Sequence, residues 1–261
     1  MDLACCQFDI AWEDKAANYR RVEGLVAAAG LAPGTLLLLP EMFATGFTMC
    51  AEAVAEPVDG PTARFLADLA RRHEIFVEGG VVILSEDGSR PRNEALLFGP
   101  EGGLLGRYAK MHLFSLAGEH EHYLPGESPA LFSWQEAQVC PAICYDLRFP
   151  ELFRVAAARG VDLLTVIACW PASREEHWLA LLRARAIENQ CYVAAVNRCG
   201  NDPLGLAYSG RSQILDPRGV VLADAGSDDG VFRASVDLES QRRYRQKFPA
   251  LRDIRIRKLI P

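Results

Sequence analysis

The stretch AICYDLRFPELF, residues 142–153, contains the change from strand to helix that sets the class of the fold. Its apolar part ends at Cys144, a polar turn follows, and Pro150 stands where a helix is expected to begin. The Cys144 thiol is therefore predicted at a tight bend, as in a nucleophile elbow. At such a bend the backbone N–H of Tyr145 can point at the oxygen of a carbonyl that the sulfur attacks.

Outward from this stretch, strand-like apolar runs alternate with helical patterns. Residues 3–10, 35–40 and 75–84 predict strands, and residues 19–30 and 62–73 between them predict helices. The pattern continues after residue 90 with strands, helices and a hairpin around DPRG at residues 216–219. We therefore expect an α/β fold of layered sheets covered by helices. With no linker or repeat to divide it, the chain is expected to form a single domain over residues 1–261.

Composition and charge argue against several classes of partner. The chain of 261 residues has a formal net charge of -6, whereas nucleic-acid binding depends on clustered Lys and Arg, so no nucleic-acid partner is expected. The basic stretch QRRYRQKF at residues 241–248 is interpreted as a solvated helix face balanced by Glu239, or as an oligomer contact. No apolar run approaches the roughly 20 residues of a membrane span, and the N-terminus lacks a signal-peptide pattern, so a cytoplasmic protein without a membrane partner is expected.

The cysteines and histidines suggest neither disulfides nor a metal site. Several of the eight cysteines lie in strand-like runs, where a free thiol behaves as a small hydrophobic group, and this favours a reducing compartment. Cys140 and Cys144 have the wrong spacing for zinc. His112, His120 and His122 could indicate a Cys-His hydrolase or a metal site, but no third ligand is in register. No metal is expected, and His112 is expected to help position the neighbouring lysine.

Three residues at the ends of apolar strands could carry chemistry. They are Glu41 after TLLLLP, Lys110 after LLGRYA, and Cys144 after VCPAI. Taken singly, Glu41 could instead be a solvated charge or a helix cap, and Cys144 a buried small residue.

Together, the motifs PEMFATGF, YAKMHLF and CYDLRFP, at residues 40–47, 108–114 and 144–150, resemble the nitrilase, or carbon–nitrogen hydrolase, superfamily. The resemblance extends over nearly the whole chain and is strongest to the bacterial ω-amidase branch. It implies a four-layer α-β-β-α sandwich, a homodimer, and a triad of glutamate, lysine and cysteine.

Carried over by motif, the triad residues are Glu41, Lys110 and Cys144, and a second family glutamate falls on Glu119. Glu119 is expected to orient Lys110 or the substrate nitrogen, although a surface loop charge is an equal alternative. At Cys169 the sequence departs from the family pattern, since relatives often have Asn or Ser there. The departure leaves the triad intact but affects the expected fine geometry of substrate binding.

These residue types suit amide hydrolysis, which needs a nucleophile, stabilisation of an oxyanion and protonation of the leaving nitrogen. We expect Glu41 to take the thiol proton while Lys110 and the Tyr145 N–H hold the oxyanion. The Lys110 charge is also expected to favour the thiolate of Cys144. No cofactor is expected, and the expected partner is a small-molecule amide substrate.

The ω-amidase resemblance implies 2-oxoglutaramate and 2-oxosuccinamate as substrates, and guanidinium groups suit their carboxylate. Arg148 and Arg174 are the candidates, with Trp170, Phe43 and Tyr123 as pocket walls. Arg148 could instead pair with Asp146 or Glu151, and Arg174 could be an ordinary charge in the first turn of its helix. The alternative functions are a deaminated-glutathione amidase, a carbamoylase, a nitrilase, or an inactive scaffold with the same fold.

Overall fold

The computed structural model describes residues 1–85 and 87–255. The single-domain prediction extends beyond this range, since Glu86 and residues 256–261 lie outside the described residues. The helices are α1 (Lys15–Ala29), α2 (Ala51–Val54), α3 (Pro61–His73), α4 (Glu119–His122), α5 (Pro150–Ala158), α6 (Glu175–Asn189) and α7 (Leu238–Lys247). The strands are β1 (Asp2–Gln7), β2 (Leu36–Leu38), β3 (Phe76–Ile83), β4 (Arg92–Phe98), β5 (Leu104–Ala109), β6 (Phe132–Trp134), β7 (Ala137–Ile143), β8 (Leu163–Ala168), β9 (Tyr192–Asn197), β10 (Cys199–Asn201), β11 (Ala207–Ser209), β12 (Gln213–Leu215), β13 (Val221–Asp224) and β14 (Gly230–Ser235).

Most of the strands form two six-stranded sheets. The first has the order β14-β1-β2-β3-β4-β5 and the second the order β13-β12-β9-β8-β7-β6, while β10 and β11 form a separate ribbon. Strands β1, β2 and β3 run parallel, as do β7, β8 and β9. Strands β12 and β13 pair antiparallel across residues 216–219, which confirms the predicted hairpin.

The two sheets pack face to face with helices outside them. Strands β1 and β2 contact β9, and β4 contacts β7, through an apolar core to which Leu36, Leu97 and Val166 belong. Helices α1 and α3 cover the first sheet through a second core that includes Val22 and Leu66. Helices α5 and α6 cover the second sheet. The layers are therefore helix, sheet, sheet and helix, which confirms the expected four-layer sandwich.

The layering follows from the distribution of apolar residues. Strands β2 and β8 are buried along their whole length because each is covered on both faces. Helix α6 buries Trp178, Leu182 and Ala186 on one face and leaves Leu181 half-buried, a spacing typical of a helix packed on a sheet. No helix in the described ranges has the length and apolar character needed to cross a bilayer.

The basic stretch near the C-terminus forms α7. Arg243 pairs with Glu239 one turn away at 2.6 Å, as predicted for a solvated face. Arg245 behaves differently, because its guanidinium donates to the backbone carbonyls of Gln190 and Val161 at 2.9 and 2.7 Å. This arginine anchors α7 to the segments that lead into β8 and β9.

Candidate active site

The bend at Cys144 is as sharp as the sequence predicts. Strand β7 ends at Ile143, a 3-10 turn covers Cys144–Arg148, and α5 begins at Pro150. Cys144 has a φ of 47°, in the left-handed region that residues with a Cβ rarely adopt. Strain of this kind persists only where surrounding contacts hold it, and it commonly marks a functional position. The predicted strand-to-helix bend is therefore confirmed.

Asp146 is the residue that holds this bend. Its Oδ2 accepts hydrogen bonds from the Ile143 N–H at 2.9 Å and from the Tyr108 hydroxyl at 2.8 Å. Its Oδ1 accepts from the His112 N–H at 2.9 Å and lies 2.8 Å from His112 Nδ1. The His112 ring stacks on Phe149 at 3.8 Å. The segment after Lys110 is thus fastened to the turn that carries Cys144.

A fully buried cluster of charged groups lies beside this turn. Lys110 Nζ lies 2.8 Å from Oε1 of Glu41, and 3.0 and 2.9 Å from the two carboxylate oxygens of Glu119. All three side chains are inaccessible to solvent. Isolated charges at this depth would be strongly unfavourable, so each depends on the others. The surface-loop alternative for Glu119 is wrong, because its side chain is buried against Lys110.

Further hydrogen bonds reach all four oxygens of the two carboxylates. The side-chain amide of Asn93 donates to Oε1 of Glu41 at 2.7 Å and to Oε1 of Glu119 at 3.0 Å. The Cys169 N–H donates to Oε2 of Glu41 at 2.9 Å, and the Phe114 N–H donates to Oε2 of Glu119 at 2.6 Å. The network fixes both glutamates in single positions.

Strand β3 makes room for the segment that carries Glu41. A Cβ on Gly80 would lie 2.6 Å from the Cα of Glu41 and 2.5 Å from the backbone N of Met42. Both distances are far below ordinary contact, so the close approach of the two backbones requires glycine at this position.

Burial and charge set the protonation of the site. Burial lowers the pKa of Lys110, but the carboxylates of Glu119 and Glu41 outweigh it and hold the pKa well above its ordinary value. Burial raises the pKa of Glu119, against the opposing effect of Lys110. Burial and then the Glu41 charge raise the pKa of Cys144 well above its ordinary value, although Lys110 opposes them. The Lys110 charge acts in the expected direction, towards the thiolate, but burial and Glu41 outweigh it, so the thiol needs a base.

Cys144 opens onto a cavity of about 570 Å³. Cys144, Cys169 and Trp170 lie together on its lining, which includes residues that follow β7 and β8. The predicted residues on this lining are Cys144, Tyr145, Arg148, Trp170 and Arg174; other members are Trp12, Glu13, Phe47, Cys50, Phe114, Asp202, Leu204, Leu206 and Tyr208. A cavity of this size at the ends of parallel strands suits a small molecule.

Two residues predicted to line the cavity, Phe43 and Tyr123, lie outside its described lining. Phe43 is fully buried in the core under the first sheet and packs near the rings of Tyr19 and Phe65. Tyr123 is also fully buried, with its hydroxyl donating to the Thr48 carbonyl at 2.6 Å. Neither belongs to the described lining of the cavity, so the prediction of Phe43 and Tyr123 as cavity walls is wrong. The Phe43 ring enters apolar packing, and Tyr123 lies behind Thr48, which itself belongs to the lining.

Both predicted arginines face the cavity. The Arg148 guanidinium lies over the Trp170 ring at 4.7 Å, and its Nη2 is 3.3 Å from Nδ1 of His177. The Arg174 guanidinium lies over the Phe114 ring at 5.4 Å. Stacking on aromatic faces leaves the edges of a guanidinium available for hydrogen bonding. The oxygens of Asp146 are already bound by other donors, so its alternative role as partner of Arg148 is not realised.

The sequence did not predict three residues of the site, namely Asn93, Asp146 and Phe47. Asn93 is the second residue of β4 and reaches both glutamates. The centre of the Phe47 ring lies 5.1 Å from the ammonium of Lys110. The sequence gives no signal for either contact, because both depend on the pairing of distant segments. For Asp146, the polar position two residues after the nucleophile in an elbow was an available signal.

Comparison with known proteins agrees with this geometry. A family model described as carbon-nitrogen hydrolase matches residues 2–246. The chain belongs to the carbon-nitrogen hydrolase family. It is a hydrolase that acts on carbon–nitrogen bonds, and its resemblance to the nitrilase superfamily is confirmed.

Similar proteins cover nearly the full length of this family member. It is 39% identical to a protein of Yersinia enterocolitica named omega-amidase YafV, over 97% of this chain and 96% of that protein. It is 35% identical to the 2-oxoglutaramate amidase of Bacillus subtilis (strain 168), over 97% of each. The solved structure of XC1258 from Xanthomonas campestris, a CN-hydrolase superfamily protein with an arsenic adduct in its active site, has a TM-score of 0.92 and 34% identity, with 97% of each chain covered.

Proposed function

We propose that this hydrolase is an ω-amidase that converts 2-oxoglutaramate or 2-oxosuccinamate to the 2-oxo dicarboxylate and ammonia. The observation that carries the proposal is a strained cysteine on a cavity that also holds Arg148 and Arg174, beside a buried cluster of one lysine and two glutamates. Relatives named for these activities supply the substrate class.

The first half of the reaction forms a thioester on Cys144. Glu41 takes the thiol proton as the sulfur attacks the amide carbon, and the carbonyl oxygen becomes an oxyanion. The Lys110 ammonium and the Tyr145 N–H stabilise that oxyanion. Glu41 then gives its proton to the nitrogen, the carbon–nitrogen bond breaks, and ammonia leaves.

The second half releases the acid. Glu41 removes a proton from a water molecule as its oxygen attacks the thioester carbon. When the carbon–sulfur bond breaks, the proton on Glu41 returns to the Cys144 sulfur. Glu41 therefore acts as base in both halves, which requires that its carboxylate be unprotonated at the start of each.

A raised pKa of Cys144 agrees with this order of events. Because the resting thiol is protonated, attack and proton removal occur together, and the carboxylate that removes the proton must lie nearby. The negative charge of Glu41 contributes to the raised pKa of the Cys144 thiol, which supports Glu41 as that carboxylate.

The two arginines account for selection of a substrate with a carboxylate. Arg148 and Arg174 belong to the same cavity as Cys144, so they can bind the carboxylate at the end of the substrate opposite the amide. Trp170 stacks on Arg148 and forms an apolar wall for the short carbon chain between them. Neutral aliphatic amides and nitriles lack the group that these arginines bind.

The alternative functions differ in what they require of the site. A deaminated-glutathione amidase, a carbamoylase or a nitrilase would have the same triad and differ in the cavity. An inactive scaffold has no physical need for a buried lysine between two glutamates, since a well-packed apolar core would be at least as stable.

The molecule is further proposed to be a single-domain cytoplasmic homodimer that needs no cofactor. Exposed apolar side chains at Ile187, Val220, Leu222 and Phe248 support a contact with a second copy. The described residues contain no group of three or more His, Cys, Asp or Glu arranged to hold a metal ion.

Ammonia release from 2-oxoglutaramate tests the proposed function. The wild type is expected to release ammonia, whereas Cys144→Ala is expected to be inactive. Cys50→Ala is the matched control, because Cys50 is an exposed cysteine on the same cavity. Inactivity of the wild type on both 2-oxo substrates, with turnover of an N-carbamoyl compound or a nitrile, would refute the ω-amidase assignment.

A further inference from the structure

Asn93 lies at the centre of the charged cluster. It is fully buried near the start of β4, and its single amide nitrogen reaches Oε1 of both Glu41 and Glu119. Its backbone carbonyl also accepts a hydrogen bond from the Lys110 N–H at 2.9 Å. One residue therefore contacts all three charged residues of the cluster.

The direction of the Asn93 amide is set by the two carboxylates. Its nitrogen has two acceptors, whereas its Oδ1 is buried without a hydrogen-bond partner in the described part of the chain. An unpartnered buried carbonyl is unfavourable. The opposite orientation would be worse, because it would place an oxygen against two carboxylates.

A donor between two neighbouring carboxylates has a chemical consequence. Two carboxyl groups close together tend to share one proton, since both cannot ionise freely. Lys110 supplies a single positive charge for the pair, and burial already favours protonation of Glu119. Each hydrogen of the Asn93 amide stabilises one carboxylate in its ionised form and occupies the place that a shared proton would take.

We propose that Asn93 is a positioning residue that keeps the two glutamates in separate roles, Glu41 as the base and Glu119 as the anionic partner of Lys110. Oε1 of Glu41 already accepts from Asn93 and Lys110, so Oε2, which accepts from the Cys169 N–H, is the atom that receives the thiol proton. The inference rests on the proposed roles of Glu41 and Cys144.

The test compares Asn93→Ala and Asn93→Asp with the wild type over a range of pH. Because a hydrogen bond to a charged group stabilises it by about 1.5–3 kcal/mol, Asn93→Ala is expected to lower kcat/KM roughly 10- to 100-fold at neutral pH. Since the ionised carboxylates then lose a hydrogen bond, the acidic limb of the profile is expected to move to higher pH by about one to two units. Asn93→Asp matches the shape of asparagine but offers an oxygen in place of the donor, so the limb is expected to move further. KM should change little, because Asn93 is not among the residues described on the cavity lining.

Asn189→Ala is the matched control. Asn189 is equally buried, has an unpartnered Oδ1, and donates to the Arg185 carbonyl at 3.0 Å in α6, away from the cluster. This variant is expected to lose stability and retain the wild-type pH profile. Wild-type profiles for folded Asn93→Ala and Asn93→Asp, with only a lower rate, would overturn the inference.

Alkylation of Cys144 by iodoacetamide gives a readout that does not depend on the amide substrate. Its acidic limb is expected to move to higher pH in both Asn93 variants. If the wild type fails to hydrolyse 2-oxoglutaramate but the alkylation limb moves, the substrate assignment fails and the role of Asn93 stands. If the alkylation profiles coincide with that of the wild type, the role of Asn93 fails whatever the substrate. If Asn93→Ala does not fold, the position of the acidic limb in the isosteric Asn93→Asp tests the role of Asn93.

Discussion

The backbone N–H of Cys169 lies 2.9 Å from Oε2 of Glu41, and the Cys169 thiol donates to the backbone carbonyl of the same glutamate at 3.2 Å. Glu41 follows β2 in the first sheet and Cys169 follows β8 in the second. The two contacts therefore join the carboxyl ends of both sheets at the proposed base. The contact to the carboxylate comes from the backbone, so it is retained when the side chain of Cys169 is changed.

Cys169→Ala is accordingly expected to be mild. It removes only the thiol hydrogen bond, which is worth about 0.5–1.5 kcal/mol, so kcat/KM should fall by about tenfold at most. Cys169→Ser retains a donor and should lie closer to the wild type. Ammonia release by the two variants measures this. A loss as large as that of Cys144→Ala would show that the thiol of Cys169 itself takes part in the chemistry.

The arginines of the cavity are expected to act on substrate binding. Replacement of Arg148 or Arg174 by Met removes charged hydrogen bonds and should raise KM for 2-oxoglutaramate at least roughly tenfold, with a smaller effect on kcat. Propionamide, which has no carboxylate, should be hydrolysed equally poorly by wild type and variants. Arg183→Met, at an exposed position of α6, is the control and should leave KM unchanged. An equal effect on both amides would exclude a role in carboxylate recognition.

Glu119→Gln is expected to alter the alkaline side of the pH profile. Burial lowers the pKa of Lys110 and the charges of Glu119 and Glu41 raise it, so removal of one negative charge lets the pKa fall. Lys110 would then lose its proton at lower pH, and the alkaline limb of kcat/KM should therefore move to lower pH. Glu121→Gln, an exposed neighbour on α4, should leave the limb in place. An unmoved limb in Glu119→Gln would contradict the pairing of Glu119 with Lys110.

Glu78 is expected to make stability depend on pH. It is fully buried in β3 and accepts a hydrogen bond from the Thr165 hydroxyl at 3.0 Å, and burial raises its pKa from 4.5 to about 7. Between these values the unfolded chain releases the proton while the folded chain retains it, so the free energy of unfolding falls as pH rises. The loss should be about 3 kcal/mol and should be complete above pH 7.

Denaturant unfolding of wild type and Glu78→Gln at pH 5 and pH 8 measures this effect. Contributions from other groups cancel in the comparison, because both proteins share them. The wild type should lose more stability than Glu78→Gln between the two conditions. Equal losses would mean that Glu78 does not bury a proton in the folded state.

The sequence predicted the parts of the site that depend on local order. Pro150 at the start of α5 and the polar turn before it place Cys144 at a bend, and the structure has this bend with a φ of 47°. Alternation of apolar strands and helices predicted the fold class. The ends of apolar strands indicated Glu41 and Lys110 as candidates, and the family resemblance joined them in one triad; they lie far apart in the chain and follow β2 and β5 of the same sheet.

Contacts between distant segments could not be predicted from local sequence patterns. Asn93 has the pattern of a strand residue, and nothing near it in the chain indicates that its amide lies between two glutamates. Phe43 follows Glu41 by two residues, yet its ring enters the core near Phe65 instead of the cavity. Sequence proximity to a site residue therefore does not decide which way a side chain points.

Rapid-quench mass spectrometry of the peptide that contains Cys144 tests the central claim most directly. With wild-type protein and 2-oxoglutaramate, the account predicts a transient acyl group on Cys144, formed together with one equivalent of ammonia. Ammonia release at the full rate without an adduct on Cys144, or with the adduct on another residue, would contradict the thioester mechanism.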